Sequence, residues 1–258
     1  MNDAVEPEVL VERSGAIVTV RLNRPHRLNA LTETSINEAA EAIENARDAR
    51  AIVLTGAGRA FSSGADLAPG ETGETDPART VDAANRLVRA IREVPVPVIA
   101  AVNGPVAGGS CSFVLAADLS IGSESAYLYF AWVRNALMPD AGAHALLASS
   151  IGHVRAWRVA LRQEKIYSAK AVEMGLMSYV VPDDEFASRV RVVAEELAQG
   201  PTAAYAWAKR TFSACAAPAL EQAFALERQG QSDLFRTEDV REGYAAFQER
   251  RAPSYVGH

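Results

Sequence analysis

The stretch "NGPVAGGSCSFVLAADLS", residues 103–120, bends on Gly104 and on the pair Gly108–Gly109, then runs straight into small and apolar residues with one acid, Asp118. It follows "VPVIAAVNG", a short apolar run of the kind that forms a strand buried on both faces. "AIVLTG", residues 51–56, is a second such run, and it too ends on a glycine and leads into a glycine-containing segment, "GRAFSSGADL". The sequence therefore predicts strand, bend and helix in succession, at least twice. A glycine bend entering a helix leaves backbone N–H groups pointing outward from the positive end of the helix dipole. Two such groups from different strands, aimed at one point, would stabilise a developing oxyanion by about 3–4 kcal/mol per donor. The plainer reading is that the glycines only allow close packing of helix on strand.

Around this centre, "AIVTVRLNRP" alternates and is β-branched, predicting a strand that stops at Pro25. "LTETSINEAAEAIENARDA" predicts a helix with Thr32 as its N-cap. Residues 71–80 are polar, contain Gly and Pro, and read as a loop before the helix "VDAANRLVRAIREV". From about residue 143 onward the pattern is mostly helical, interrupted by the strand-like "MSYVVPDDE".

Composition narrows the function classes. The 258 residues carry a net charge of −6, which argues against a nucleic-acid partner. The start of the chain lacks the charged-then-apolar order of a signal peptide, and the apolar runs are broken by Pro and Gly, so a cytoplasmic protein with no membrane partner is expected. Cys111 and Cys215 sit among apolar residues without metal-ligand spacing and read as reduced core thiols. Neither GxxxxGK[ST] nor GxGxxG occurs, and Gly108-Gly109-Ser110-Cys111 lacks the closing glycine of a nucleophile elbow. Four histidines offer little material for a triad or a metal cluster, and no metal site is expected.

Six segments in order, "RPHRLNAL" (24–31), "GRAFSSGADL" (58–67), "PVIAAVNGPVAGGSC" (97–111), "LMPDAGA" (137–143), "SAKAVEMGLMSYVV" (168–181) and "TEDVREGYAAFQERRAP" (237–253), resemble the successive motifs of the crotonase superfamily, the enoyl-CoA hydratases and isomerases. The resemblance spans nearly the whole chain and is far more specific for the family than for the reaction. It implies an α/β fold: a spiral core of repeated ββα units over residues 1–200 that binds acyl-CoA, followed by a helical region, 201–258, that mediates trimerisation. A homotrimer, or a hexamer made of two trimers, is the expected assembly. No cofactor is implied beyond coenzyme A as the substrate's thioester carrier.

By motif position, the resemblance places the oxyanion donors at the backbone N–H of Ala65, just after Gly64, and of Gly109. Ser63, Gly64, Asp66 and Leu67 would line the pantetheine and adenine path, with Asp66 having a structural alternative. Arg27 is the candidate phosphate partner and Arg24 the second, a solvated basic turn being the alternative. Ala68 stands where hydratases of the family often carry a lysine.

The departures bear on the reaction. Hydratases of the family position water with two glutamates, and those positions hold Ser112 and Trp132 here, neither of them a general base near neutral pH. Asp140 is the carboxylate that remains. At the matching position some isomerases use an aspartate to move a proton, and 4-chlorobenzoyl-CoA dehalogenase uses one as a nucleophile. That dehalogenase also has a tryptophan like Trp132, but its histidine base aligns with Asn85. The favoured expectation is a double-bond proton shift carried by Asp140, with Trp132 lining the acyl pocket or simply filling the core. A hydratase, an aryl-CoA dehalogenase and a non-catalytic acyl-CoA binder are the alternatives. Asp140 also suits a helix N-cap. Burial against Trp132 and Phe130 would raise its pKa. His144, a turn beyond, reads as a surface or packing residue.

Overall fold

A computed structural model describes residues 6–67 and 77–258, with the side chain of Pro77 outside the description. Ala68 and residues 71–76 of the expected loop lie outside the described residues.

Two adjacent strands, β1 (Val9–Ser14) and β2 (Ile17–Leu22), form an antiparallel hairpin at the edge of the main sheet. The sheet then continues in parallel through β3 (Ala51–Gly56), β4 (Val98–Val102), β6 (Leu119–Ser123) and β9 (Tyr179–Val181). A smaller sheet holds β5 (Val106–Ala107), β7 (Tyr127–Tyr129) and β8 (Lys165–Tyr167). The pairs β4–β5, β6–β7 and β8–β9 each contribute one strand to each sheet, which is the spiral winding. Strand β8, in "KIY", was not anticipated: three residues are too few to show a period.

The two-residue period of β3 and β4 sorts their side chains. Ile52, Leu54, Val98, Ala100 and Val102 enter the main core under α1 (Glu33–Asn45) and α2 (Pro77–Glu93). Val53, Ile99 and Ala101 face Val193 and Ala194 of α7 (Phe186–Gln199). Both strands are fully buried, as continuous apolar runs require. Helix α1 buries Ile36, Ala39, Ala40 and Ile43, an i, i+3, i+4, i+7 stripe, and Thr32 caps it by accepting from the Ser35 N–H.

Helix α3 (Ser110–Ala116) follows the 108–109 bend as expected, but "GRAFSSGADL" is not helical. Gly58 and Gly64 take positive φ, and the chain is held extended by single bridges, Ser62 to Val106 and Leu31 to Ala65. The first predicted strand stops at Leu22, and Pro25–Arg27 form a 3-10 turn with proline at its start.

The remaining helices are α4 (Ala143–Ile151), α5 (His153–Arg162), α6 (Ser168–Met174), α8 (Thr202–Ala216), α9 (Leu220–Leu234) and α10 (Glu238–Gln248). Helix α9 reaches back to the core: Phe224 is buried in it, and Arg89 and Asp82 of α2 pair with Glu221 and Arg228. Helix α8 is fixed by Lys209, whose ammonium donates to Asp118 and to the Val96 carbonyl. Cys111 is buried, and burial pushes its thiol up to about 12. Cys215 is exposed on α8, contrary to the reading of both cysteines as core thiols: its apolar neighbours in sequence lie on a helix whose outer side faces away from the sheet.

Candidate active site

Two asparagines staple the loop leaving β3 to its neighbours, Asn103 to the loop leaving β4 and Asn29 to the segment after β2. Asn103 donates to the carbonyls of Gly56 and Gly58 while accepting from the Gly56 N–H. Asn29, 1% exposed and at φ 54, donates to the carbonyls of Ala57 and Ala60 and accepts from the Arg24 N–H. The glycines let backbone meet backbone, since a Cβ on Gly64 would lie 2.8 Å from the Ala107 carbonyl oxygen. The 62–65 and 106–109 segments are thereby brought side by side.

In the bridge between Leu31 and Ala65, the Leu31 N–H bonds the Gly64 carbonyl and the Asp66 N–H bonds the Leu31 carbonyl. In such a parallel bridge the N–H of the middle residue, Ala65, points away from the pair. Among the described residues it has no acceptor, and neither has the N–H of Gly109. Both residues line one cavity of about 290 Å³, together with Ser63, Gly64, Asp66, Leu67, Trp132 and Asp140. Its apolar wall includes Phe113, Phe235 and Tyr244. Arg27 does not line it.

Asp66 is 5% exposed and bridges Arg24 and Arg27, each at 2.9 Å. Arg24 is further held by Glu8 and by the Ala30 carbonyl, which makes it a structural cation. Arg27 keeps 43% of its side chain exposed. Ser63 is exposed at the same corner, and its hydroxyl donates to the Arg27 carbonyl.

Asp140 lies in a turn between a 3-10 segment (Trp132–Asn135) and α4. Its Oδ1 accepts from the Trp132 indole N–H at 2.9 Å, and its Oδ2 accepts from the Gln231 amide at 2.8 Å. Ser112, fully buried, donates its hydroxyl to the Asp140 backbone carbonyl at 3.0 Å. Oδ1 sits against Gly109: a Cβ built on that glycine would lie 3.3 Å from it. Trp132 is 5% exposed, and its ring packs 5.9 Å from that of Phe130. Burial pushes the Asp140 carboxyl up to about 6 from its ordinary 3.8; the Gln231 and Trp132 donors pull it back, and the nearby Glu227 carboxylate adds to the rise.

Asp140 does not cap α4. The helix is preceded by Ala141 at φ 55 and Gly142 at φ 77, and the cap is a carboxylate from elsewhere. Glu227 of α9, 1% exposed, accepts from the Gly142 N–H at 2.7 Å and the His144 N–H at 3.3 Å, and its Oε1 is 2.8 Å from His144 Nδ1. This explains His144, half-exposed and engaged in holding the turn.

Glu227 and Gln231 were not anticipated from the sequence. The signal was there: Leu220, Phe224, Glu227 and Gln231 form the buried stripe of α9, so two polar residues occupy core positions of an amphipathic helix. Asn85 is buried on α2 and does not line the cavity.

The model of the enoyl-CoA hydratase/isomerase family matches residues 12–258. The chain belongs to that family. Over 249 residues it is 42% identical to a probable enoyl-CoA hydratase of Rhodobacter capsulatus, covering 95% of this chain and 96% of that one. It is 33% identical to the 1,2-epoxyphenylacetyl-CoA isomerase of Escherichia coli over 249 residues, covering 93% and 95%. An enoyl-CoA hydratase structure from Mycobacterium avium subsp. paratuberculosis superposes with a TM-score of 0.91 at 38% identity, covering 96% and 98%. The spiral α/β core is thus the crotonase fold, and the chain is an enzyme of that superfamily. In this enoyl-CoA hydratase/isomerase family member the cavity holds a carboxylate from the turn before α4, and a buried serine of α3 outside the cavity lining bonds that residue's backbone carbonyl.

Proposed function

We propose that this enzyme shifts a carbon–carbon double bond along an acyl-CoA thioester, with Asp140 as the sole proton carrier. The observation that carries the reading is the Asp140 carboxyl, pushed up to about 6 and set against Gly109 in the cavity that Ala65 also lines. A thioester oxygen accepting from the Ala65 and Gly109 N–H groups would place the neighbouring acyl carbons beside this carboxylate. Asp140 takes a proton from the carbon alpha to the thioester of a 3-enoyl chain. The C–H electron pair forms a double bond between the alpha carbon and the carbonyl carbon, the carbonyl pi pair moves onto the thioester oxygen, and the resulting dienolate is conjugated with the former double bond. When the gamma carbon is protonated the charge returns, the carbonyl re-forms and the double bond comes to lie between the alpha and beta carbons. The protonated Asp140 returns its proton to the gamma carbon, giving the 2-enoyl thioester with no net change in composition. A base near 6 is ionised at neutral pH yet strong enough to accept the proton. Coenzyme A is the thioester carrier, and no further cofactor enters the balance.

Hydration needs a second group to activate water, and Ser112 spends its hydroxyl on the Asp140 carbonyl. Aryl dehalogenation needs a base to free the ester, and Asn85 lies outside the cavity. On the coenzyme arm, the reading assigns Ser63, Gly64, Asp66 and Leu67 to the path and leaves Arg27 as the cation with exposed surface for phosphate. A panel of 3-enoyl-, 2-enoyl- and aryl-CoA substrates tests the proposal: turnover of 3-enoyl-CoA to 2-enoyl-CoA is expected, and water addition to crotonyl-CoA at a comparable rate would overturn it.

A further inference from the structure

We infer that Gln231 is the residue that positions the Asp140 carboxylate for proton transfer, from a helix that sequence motifs do not connect to the site. The inference rests on the reading of Asp140 as the proton carrier.

Gln231 is 1% exposed on α9 and 91 residues from Asp140 in sequence. Its amide nitrogen donates both protons, one to the Met138 carbonyl at 2.9 Å and one to Asp140 Oδ2 at 2.8 Å. This fixes the amide's orientation, because turning it over would set its oxygen against a carbonyl and a carboxylate. The same turn that Gln231 holds at Met138 is packed against α9 at two further points: a Cβ on Gly230 would lie 2.3 Å from Met138 Sδ, and one on Gly142 would lie 2.5 Å from a Leu220 methyl.

With Trp132 on Oδ1 and Gln231 on Oδ2, the carboxylate cannot rotate without losing both donors. Either donor alone would leave it free to swing. The Gln231 Oε1 is buried and has no hydrogen-bond partner among the described residues, a cost that an apolar side chain would avoid. The charged and titratable groups around Asp140 are Glu227 from α9, His144 from α4 and Tyr244 from α10. Glu33 and Asp66 also line the cavity, each paired with arginine.

The test is Gln231→Met, which keeps length and removes both donors, with Gln231→Leu as a second variant of different shape. The Asp140 carboxyl titration is followed by carbon-13 NMR, and kcat and KM are measured on 3-enoyl-CoA across pH. Loss of a donor that favours the carboxylate moves the titration midpoint up, by about one pH unit, and lowers kcat about tenfold at pH 7 with KM within about twofold. A folded variant whose midpoint stays at the wild-type value overturns the inference, whatever its activity. A midpoint that moves while turnover and its pH profile do not shows that Gln231 holds the carboxylate but overturns the proton-carrier reading of Asp140, and with it the positioning role for catalysis.

Discussion

Asp140 is a carboxylate in an apolar setting, supported by two donors and opposed by one neighbouring acid. Its elevated pKa makes a signed prediction. The free enzyme's kcat/KM on 3-enoyl-CoA should fall as pH drops through about 6, because protonation removes the base. An acid limb near the ordinary aspartate value of 3.8 would mean that Asp140 is not the titrating group. At this scale the sequence told a partial story. That Asp140 and Trp132 meet in one cavity was legible from motif position. The contact that Ser112 makes was not legible, because its bond is to a backbone carbonyl 28 residues away. In "RPHR" motif position put Arg27 ahead of Arg24 as phosphate partner without showing what holds either; Asp66, Glu8 and a carbonyl lock Arg24 while Arg27 keeps its surface.

Helix α9 acts on the site through a single stripe. Glu227 satisfies two N–H groups at the start of α4, where Gly142 has a positive φ that no ordinary side chain would supply cheaply. Glu227→Ala leaves those donors buried and unpartnered, at a cost of about 1–3 kcal/mol, whereas Glu227→Gln keeps an acceptor. Thermal unfolding of the two variants checks this: the alanine variant should melt several degrees lower and the glutamine variant close to wild type, and equal melting temperatures would contradict the cap. Helices α1 and α2 were readable because their apolar stripes follow a 3.6-residue period. "GRAFSSGADL" was misread because local sequence favours a turn into helix, while bridges to Leu31 and Val106, both remote in sequence, hold it extended. Asn29 and Asn103 staple the loops through bonds spanning roughly 30 to 50 residues, which no local pattern reveals.

For the whole molecule, the spiral brings segments near residues 65, 109, 140 and 231 to one cavity, so the site exists only once both sheets and α9 are in place. The two continuous apolar strands made the core legible, and the glycine bends marked where the chain approaches itself. Among the described residues no helix is long and apolar enough to cross a membrane. Val154, Trp157 and Leu161 form an exposed apolar face on α5, and Trp207 and Phe212 are exposed on α8. Such surface is usually covered by another protein. With the trimer implied by family resemblance, light scattering is expected to give three chain masses, or six, and Trp157→Glu to lower the assembly's stability; a monomeric wild type would contradict it.

The claim on which the rest depends is that one carboxylate carries the proton. The most direct measurement is the conversion of a 3-enoyl-CoA to its 2-enoyl isomer by the wild type and by Asp140→Asn, with both shown by circular dichroism to be folded. The account predicts a loss of about 10²–10⁴-fold in kcat for the variant. Turnover by Asp140→Asn at the wild-type rate would contradict it.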